Sequence, residues 1–152
     1  MNFTQTCTIN ANRAAVWDFL MRMENIAQCL DGVQAFTPLD ADTYEGTLRV
    51  KVGPVALSFQ GTVRVEARDR EQWRGVVHAE AKDRRVGGGV RAHLHMHLVE
   101  KSPTDTEIHV ALEAHVLGKI GEFGQPVIRK KAEIMLQEFA AQVSQRLLGQ
   151  QA

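Results

Sequence analysis

Three histidines stand two residues apart in one stretch, His93, His95 and His97. On an extended chain such residues share a face, roughly 6.5–7 Å apart. Two imidazoles so placed can converge on a zinc ion at about 2.0–2.1 Å. His78 and His109 have the same parity in the flanking stretches and are expected on neighbouring strands. This parity is opposite to that of the apolar residues, so the histidines belong outside. No Asp or Glu in the pattern is seen to orient their second nitrogens, as a built metal site requires. The reading adopted is a histidine-rich solvated or interface face, with His93, His95 and His97 as the exposed metal set that the spacing allows. No metal or other cofactor is expected.

The remaining reactive residue types are less specific. Cys29 lies between Gln28 and Leu30, with no cation or base beside it to make a thiolate, and reads as a buried structural thiol. Cys7 reads the same way. Gly87, Gly88 and Gly89 open a strand rather than a helix, unlike a phosphate loop. Arg129, Lys130 and Lys131 are fewer than the 4–8 cations of a lipid-headgroup site. An enzyme of the cyclase or hydrolase kind would need an inward polar pair, and strand parity supplies Tyr44 alone.

The elements that hold these residues follow from hydropathy. Phe3, Cys7 and Ile9 alternate with threonines as a first strand. Asn10 or Asn12 caps a helix carrying Trp17 and Phe19, and a second short helix holds Ile26 to Leu30 and stops at Gly32. From Val33 the period is two through six strands with short turns, which is an antiparallel meander. The helical spacing of Ile128, Ala132, Met135, Phe139, Val143 and Leu147 predicts a long amphipathic helix, with Pro126 in its first turn. That helix must cover the apolar face of the sheet. Inward positions hold many small residues, among them Gly46, Gly61, Ala79, Ala92 and Ala114. They leave a cavity, or else they permit close packing and sharp curvature; the pattern alone leaves both open.

The chain has 152 residues, 44% apolar and 24% charged, as one globular domain over residues 1–150 should. Eighteen basic residues balance eighteen acidic ones, which removes the electrostatic case for nucleic acid. Two cysteines are too few for a disulfide framework, and no leader or membrane span is apparent. The expected location is the cytoplasm, with peripheral contact at the inner face of the cell membrane left open.

Thr43-Tyr44-Glu45-Gly46, then Val50-Lys51-Val52-Gly53-Pro54-Val55 with Phe59 and Gly61, resemble the family of the G subunit of carbon monoxide dehydrogenase. That family lies within the START-like, helix-grip superfamily (SRPBCC, polyketide cyclase-like). Val16-Trp17, Phe19-Leu20 and Cys29-Leu30-Asp31-Gly32-Val33 support the likeness, which runs from about Phe3 to Leu148. Asp31 departs from it, standing where the family usually has proline. The resemblance implies an α+β helix-grip fold of about seven strands around a long C-terminal helix, with a hydrophobic tunnel between them. It implies a non-catalytic accessory to a molybdenum-flavin hydroxylase, binding a quinone or other isoprenoid or acyl lipid. An assembly or membrane-recruitment factor with a vestigial cavity, and a cyclase- or hydrolase-like enzyme, are the alternatives. Tunnel-lining candidates on the strands are Phe36, Tyr44, Leu48, Leu57, Phe59, Trp73, Val77, Ala92, Leu94, Met96 and Leu112. Towards the helix they are Phe123, Val127, Ile128 and Met135, with Phe123 as either an apolar lid or a core anchor.

Overall fold

The computed structural model describes residues 1–151, with side chains through Gly149. The order is β1 (Asn2–Ile9), α1 (Arg13–Leu20), α2 (Met23–Cys29), β2 (Val33–Pro38), β3 (Thr43–Val52), β4 (Val55–Asp69), β5 (Arg74–Asp83), β6 (Gly88–Ser102) and β7 (Asp105–Gly118). A short 3-10 turn, Lys119–Phe123, leads into α3 (Gln125–Gln151). The seven strands form one antiparallel sheet in the order β1-β7-β6-β5-β4-β3-β2. Each hairpin joins neighbours except the long step that brings β1 beside β7.

Local chemistry explains the boundaries. Asn12 caps α1, its Oδ1 accepting from the Ala15 amide at 2.8 Å. Helix α2 starts at Met23, earlier than its apolar residues suggest, and Arg22 at its N-cap makes no side-chain cap. Gly32 then turns the chain at φ 95°, where a Cβ would collide with the Arg49 carbonyl. The β5–β6 turn is organised by Asp83, whose carboxylate accepts from the Ser58 amide at 2.7 Å, Arg85 at 2.9 Å and Val86 at 3.0 Å.

The helix α3 buries Phe139, Ala140, Val143 and Leu147, and half-buries Ile128, Ala132 and Met135, along the predicted stripe. Its backbone neighbours are β1, β3, α1 and α2 rather than the middle of the sheet. The apolar core is accordingly split. One cluster joins Ile9, Val16, Trp17, Leu98, Ile108 and Val143 at the α1 end. The other joins Val52, Leu57 and Ile120 at the opposite end.

Candidate functional site

Register places the inner-face residues in rows across the strands. Tyr44, Val63, Ala79, Ala92 and Ala114 form one row through β3, β4, β5, β6 and β7. The adjoining row runs Val65, Val77, Leu94, Leu112 and Phe3. The three alanines thus fall side by side as a low floor. Leu48, Val63, Val77, Ala79, Ala92 and Leu112 all face inward, yet remain half-exposed and belong to neither core cluster. These apolar side chains face the side of the sheet that carries α3 and are only partly covered, which makes this face the candidate binding surface.

The small inward residues are of two kinds. At Gly46 and Gly61, paired across β3 and β4, a Cβ would run into the Ala35 and Glu80 carbonyls respectively, so these glycines serve close backbone approach. Of the alanines, Ala79 and Ala92 are only partly covered, whereas Ala114 is buried at 4%.

The fifteen lining candidates do not share one environment. Leu48, Phe59, Val77, Ala92, Leu94, Met96 and Leu112 sit on the inner face, half-buried. Leu94 and Met96 also pack on the first core cluster, and Phe59 on the second. Leu57 is 2% exposed and is part of the second cluster itself. Trp73 lies just before β5, not within it, at φ 58°. Its ring meets Trp17 edge-on at 6.0 Å and is stacked by Arg13 and Arg70. Phe123 is half-buried against the second cluster. Ile128 and Met135 are half-buried along α3, whereas Val127 is 47% exposed and lies off the buried stripe. Beside α3, Met135 and Leu57 join Leu30, Arg49, Lys51 and Lys131 around a cleft of about 280 Å³ against the β3–β4 hairpin.

Phe36 and Tyr44 stack at the β2–β3 side of this inner face, at 4.8 Å with planes 7° apart. The Tyr44 hydroxyl donates to Glu24 Oε1 on α2 at 3.4 Å. Burial and the Glu24 charge push the Tyr44 phenol above its ordinary pKa, so it stays a neutral donor. Parity alone leaves Tyr44 without a polar partner; the partner comes from α2. Both cysteines are raised by burial, as thiols without an activating base, although Arg146 draws Cys29 partly back.

All six histidines lie on the outer face, as register requires. The set His93, His95 and His97 does not converge. His95 pairs with Val76 and Ala111, and His97 turns to His109, with ring centroids 6.2 Å apart. Carboxylates do reach these rings: Glu66 at both His78 and His93, Glu80 at His78, and Glu107 at His109. Glu80 and Glu107 stand two residues from His78 and His109, so strand parity already puts them on the same face; only Glu66, at the irregularity in β4, needs the register to place it.

This architecture, a seven-stranded antiparallel sheet with a long C-terminal helix, is the helix-grip fold, and solved structures share it. A protein described as a conserved protein from Geobacillus kaustophilus superposes with TM-score 0.89 at 17% identity, covering 98% of this chain and 96% of its own. A START superfamily protein from Mycobacterium smegmatis gives 0.68 at 13% identity, with 95% of each chain covered. The Zhui aromatase/cyclase from Streptomyces sp. R1128 gives 0.68 at 12%, covering 97% of this chain and 95% of its own. Residues 6–148 match the model of the CoxG family, that of the G subunit of carbon monoxide dehydrogenase, and the chain belongs to that family. No curated protein sequence is significantly similar to it. Among the described residues no helix is long and apolar enough to cross a membrane.

Proposed function

We propose that the chain binds a hydrophobic small molecule, a quinone or another isoprenoid or acyl lipid, between the sheet and α3. In this reading it serves a molybdenum-flavin hydroxylase of the carbon monoxide dehydrogenase type as a non-catalytic accessory, working in the cytoplasm or against the inner face of the membrane. The observation that carries the reading is the half-exposed inner face between two separate cores. Apolar surface left without dispersion partners favours an apolar guest. Each buried CH₂-sized group of a prenyl chain contributes about 0.8 kcal/mol, enough for micromolar binding after association costs. Membership of the CoxG family supports the accessory role.

The test places bulk on the alanine floor. Ala92→Trp should lower the affinity for a fluorescent quinone or lipid analogue at least about tenfold. Ala111→Trp, on the outer face between His95 and Thr4, should leave it unchanged. A folded Ala92→Trp protein that binds as wild type does would sink the reading.

The Tyr44–Glu24 pair favours one second reading, an enzyme that moves a proton on its guest. Turnover of a bound ligand that disappears in Tyr44→Phe would establish it; loss of affinity alone makes the pair a polar anchor.

A further inference from the structure

The geometry points to a second site on the opposite face of the sheet: a three-ligand centre for a borderline divalent transition-metal ion, zinc foremost, held by Glu66, His78 and His93. It does not depend on the inner face.

Pairing brings the three residues together. His78 on β5 and His93 on β6 are directly opposite each other. In β4 the register steps from Val65↔Val77 to Ala67↔Val76, leaving Glu66 as the extra residue of a bulge. A bulge re-aims a side chain out of the regular pleat. Here it brings the Glu66 carboxylate over the histidine pair.

The distances fit an ion. His78 Nδ1 and His93 Nε2 are 3.1 Å apart. Glu66 Oε1 lies 3.2 Å from His93 Nε2 and 3.9 Å from His78 Nδ1. Ligands at about 2.0–2.1 Å from a tetrahedral zinc are about 3.4 Å from one another. The three atoms therefore already outline one face of such a tetrahedron.

The support behind the ligands fits as well. His78 turns its other nitrogen, Nε2, to Glu80 Oε1 at 3.0 Å. That contact fixes the tautomer with the Nδ1 lone pair facing its two partners, as in carboxylate–histidine–metal arrangements. Two imidazoles and one carboxylate suit zinc, copper, nickel or cobalt, whereas magnesium and calcium prefer oxygen alone. Glu66, His78 and His93 side chains are 32%, 21% and 43% exposed, so a fourth position opens to solvent for water or a partner's side chain. Arg64, the cation nearest Glu66 at 3.9 Å, is 61% exposed and free to swing aside.

A single proton on His93 Nε2, shared between His78 and Glu66, is the competing occupant of the same space. Untagged protein stripped with chelator and titrated with Co²⁺ and with Zn²⁺ separates the two. Visible absorption reads the cobalt geometry, and calorimetry reads stoichiometry and affinity. The site predicts one saturable ion per chain at micromolar concentration, with cobalt bands of four-coordinate intensity. His93→Ala and Glu66→Gln should each weaken binding at least about tenfold, and Glu80→Gln by about 10–100-fold. His95→Ala and His97→Ala should retain wild-type affinity within about twofold. Circular dichroism of each variant checks that the sheet is intact. No saturable binding overturns the proposal, as does binding that survives His93→Ala or is lost in His95→Ala.

Discussion

Asp83 shows how one buried carboxylate can govern a turn. It is 2% exposed and accepts from three backbone amides. Those amide contacts, Ser58 first, hold its pKa below the ordinary carboxylate value. The folded protein thus favours the ionised form, and this contribution to stability is complete above the unfolded pKa of about 3.9. It is lost as pH falls below that value and through the folded pKa. Asp83→Asn should therefore unfold at a lower temperature than wild type at pH 7, with the gap closing below about pH 4. Calorimetric scans at several pH values give the comparison; a gap that stays constant with pH would contradict the assignment. His97 behaves in the opposite sense to a paired histidine. Its pKa is lowered, so it stays neutral longer than an exposed ring. The first cause is burial of the ring, and the positive charges of Arg74, His109 and Arg13 add to it.

At the scale of elements, the segment Lys119–Phe123 is anchored by Ile120 in the second core cluster, and its freedom is confined to the glycines at its ends. It is flanked by Gly118 at φ 68° and Gly124 at φ 86°, and it presents Phe123 to the second core cluster. Phe123→Ala should speed the exchange of a bound lipid or quinone probe measured by stopped-flow fluorescence. Its cost should stay below the ~3–5 kcal/mol of a fully buried phenylalanine, because the ring is only half-buried. An unchanged exchange rate with a full core penalty would make Phe123 an anchor instead. The strands and the α3 stripe were legible because alternation and helical spacing are local properties of the chain. The bulge at Glu66 was not, since it exists only in the register between β4 and β5. Nor was the Tyr44–Glu24 contact, which joins residues on α2 and β3 through packing alone. The helix α2 also lacks a side-chain cap, the usual local mark of where a helix begins. The candidate binding surface was legible as a face but not in its limits: nothing in the pattern of Leu57 distinguishes it from Leu48, yet one is sealed in a core and the other is only partly covered.

For the whole molecule, charge is the first lever. Formal net charge is zero with histidines neutral, and all six histidines share the outer face. Each protonated histidine adds a positive charge to a chain whose formal charge is zero, and burial delays this at His97. Self-association followed by light scattering should therefore fall as pH goes from 7 to 5, while the circular dichroism of the sheet persists. Cooperative unfolding in that window would show that the histidines are sequestered rather than surface groups. The second lever is the pairing of β1 with β7, in which Thr6 faces His109 and Cys7 faces Ile108. During synthesis the ribosome must release about a hundred residues before that partner strand exists. Until then β1, apolar on one face only, has no strand to pair with, and contacts so distant in sequence make folding slow. The nascent chain is accordingly most exposed to chaperones, proteases and neighbouring nascent chains just before its last hairpin emerges, and the first strand is where such encounters begin.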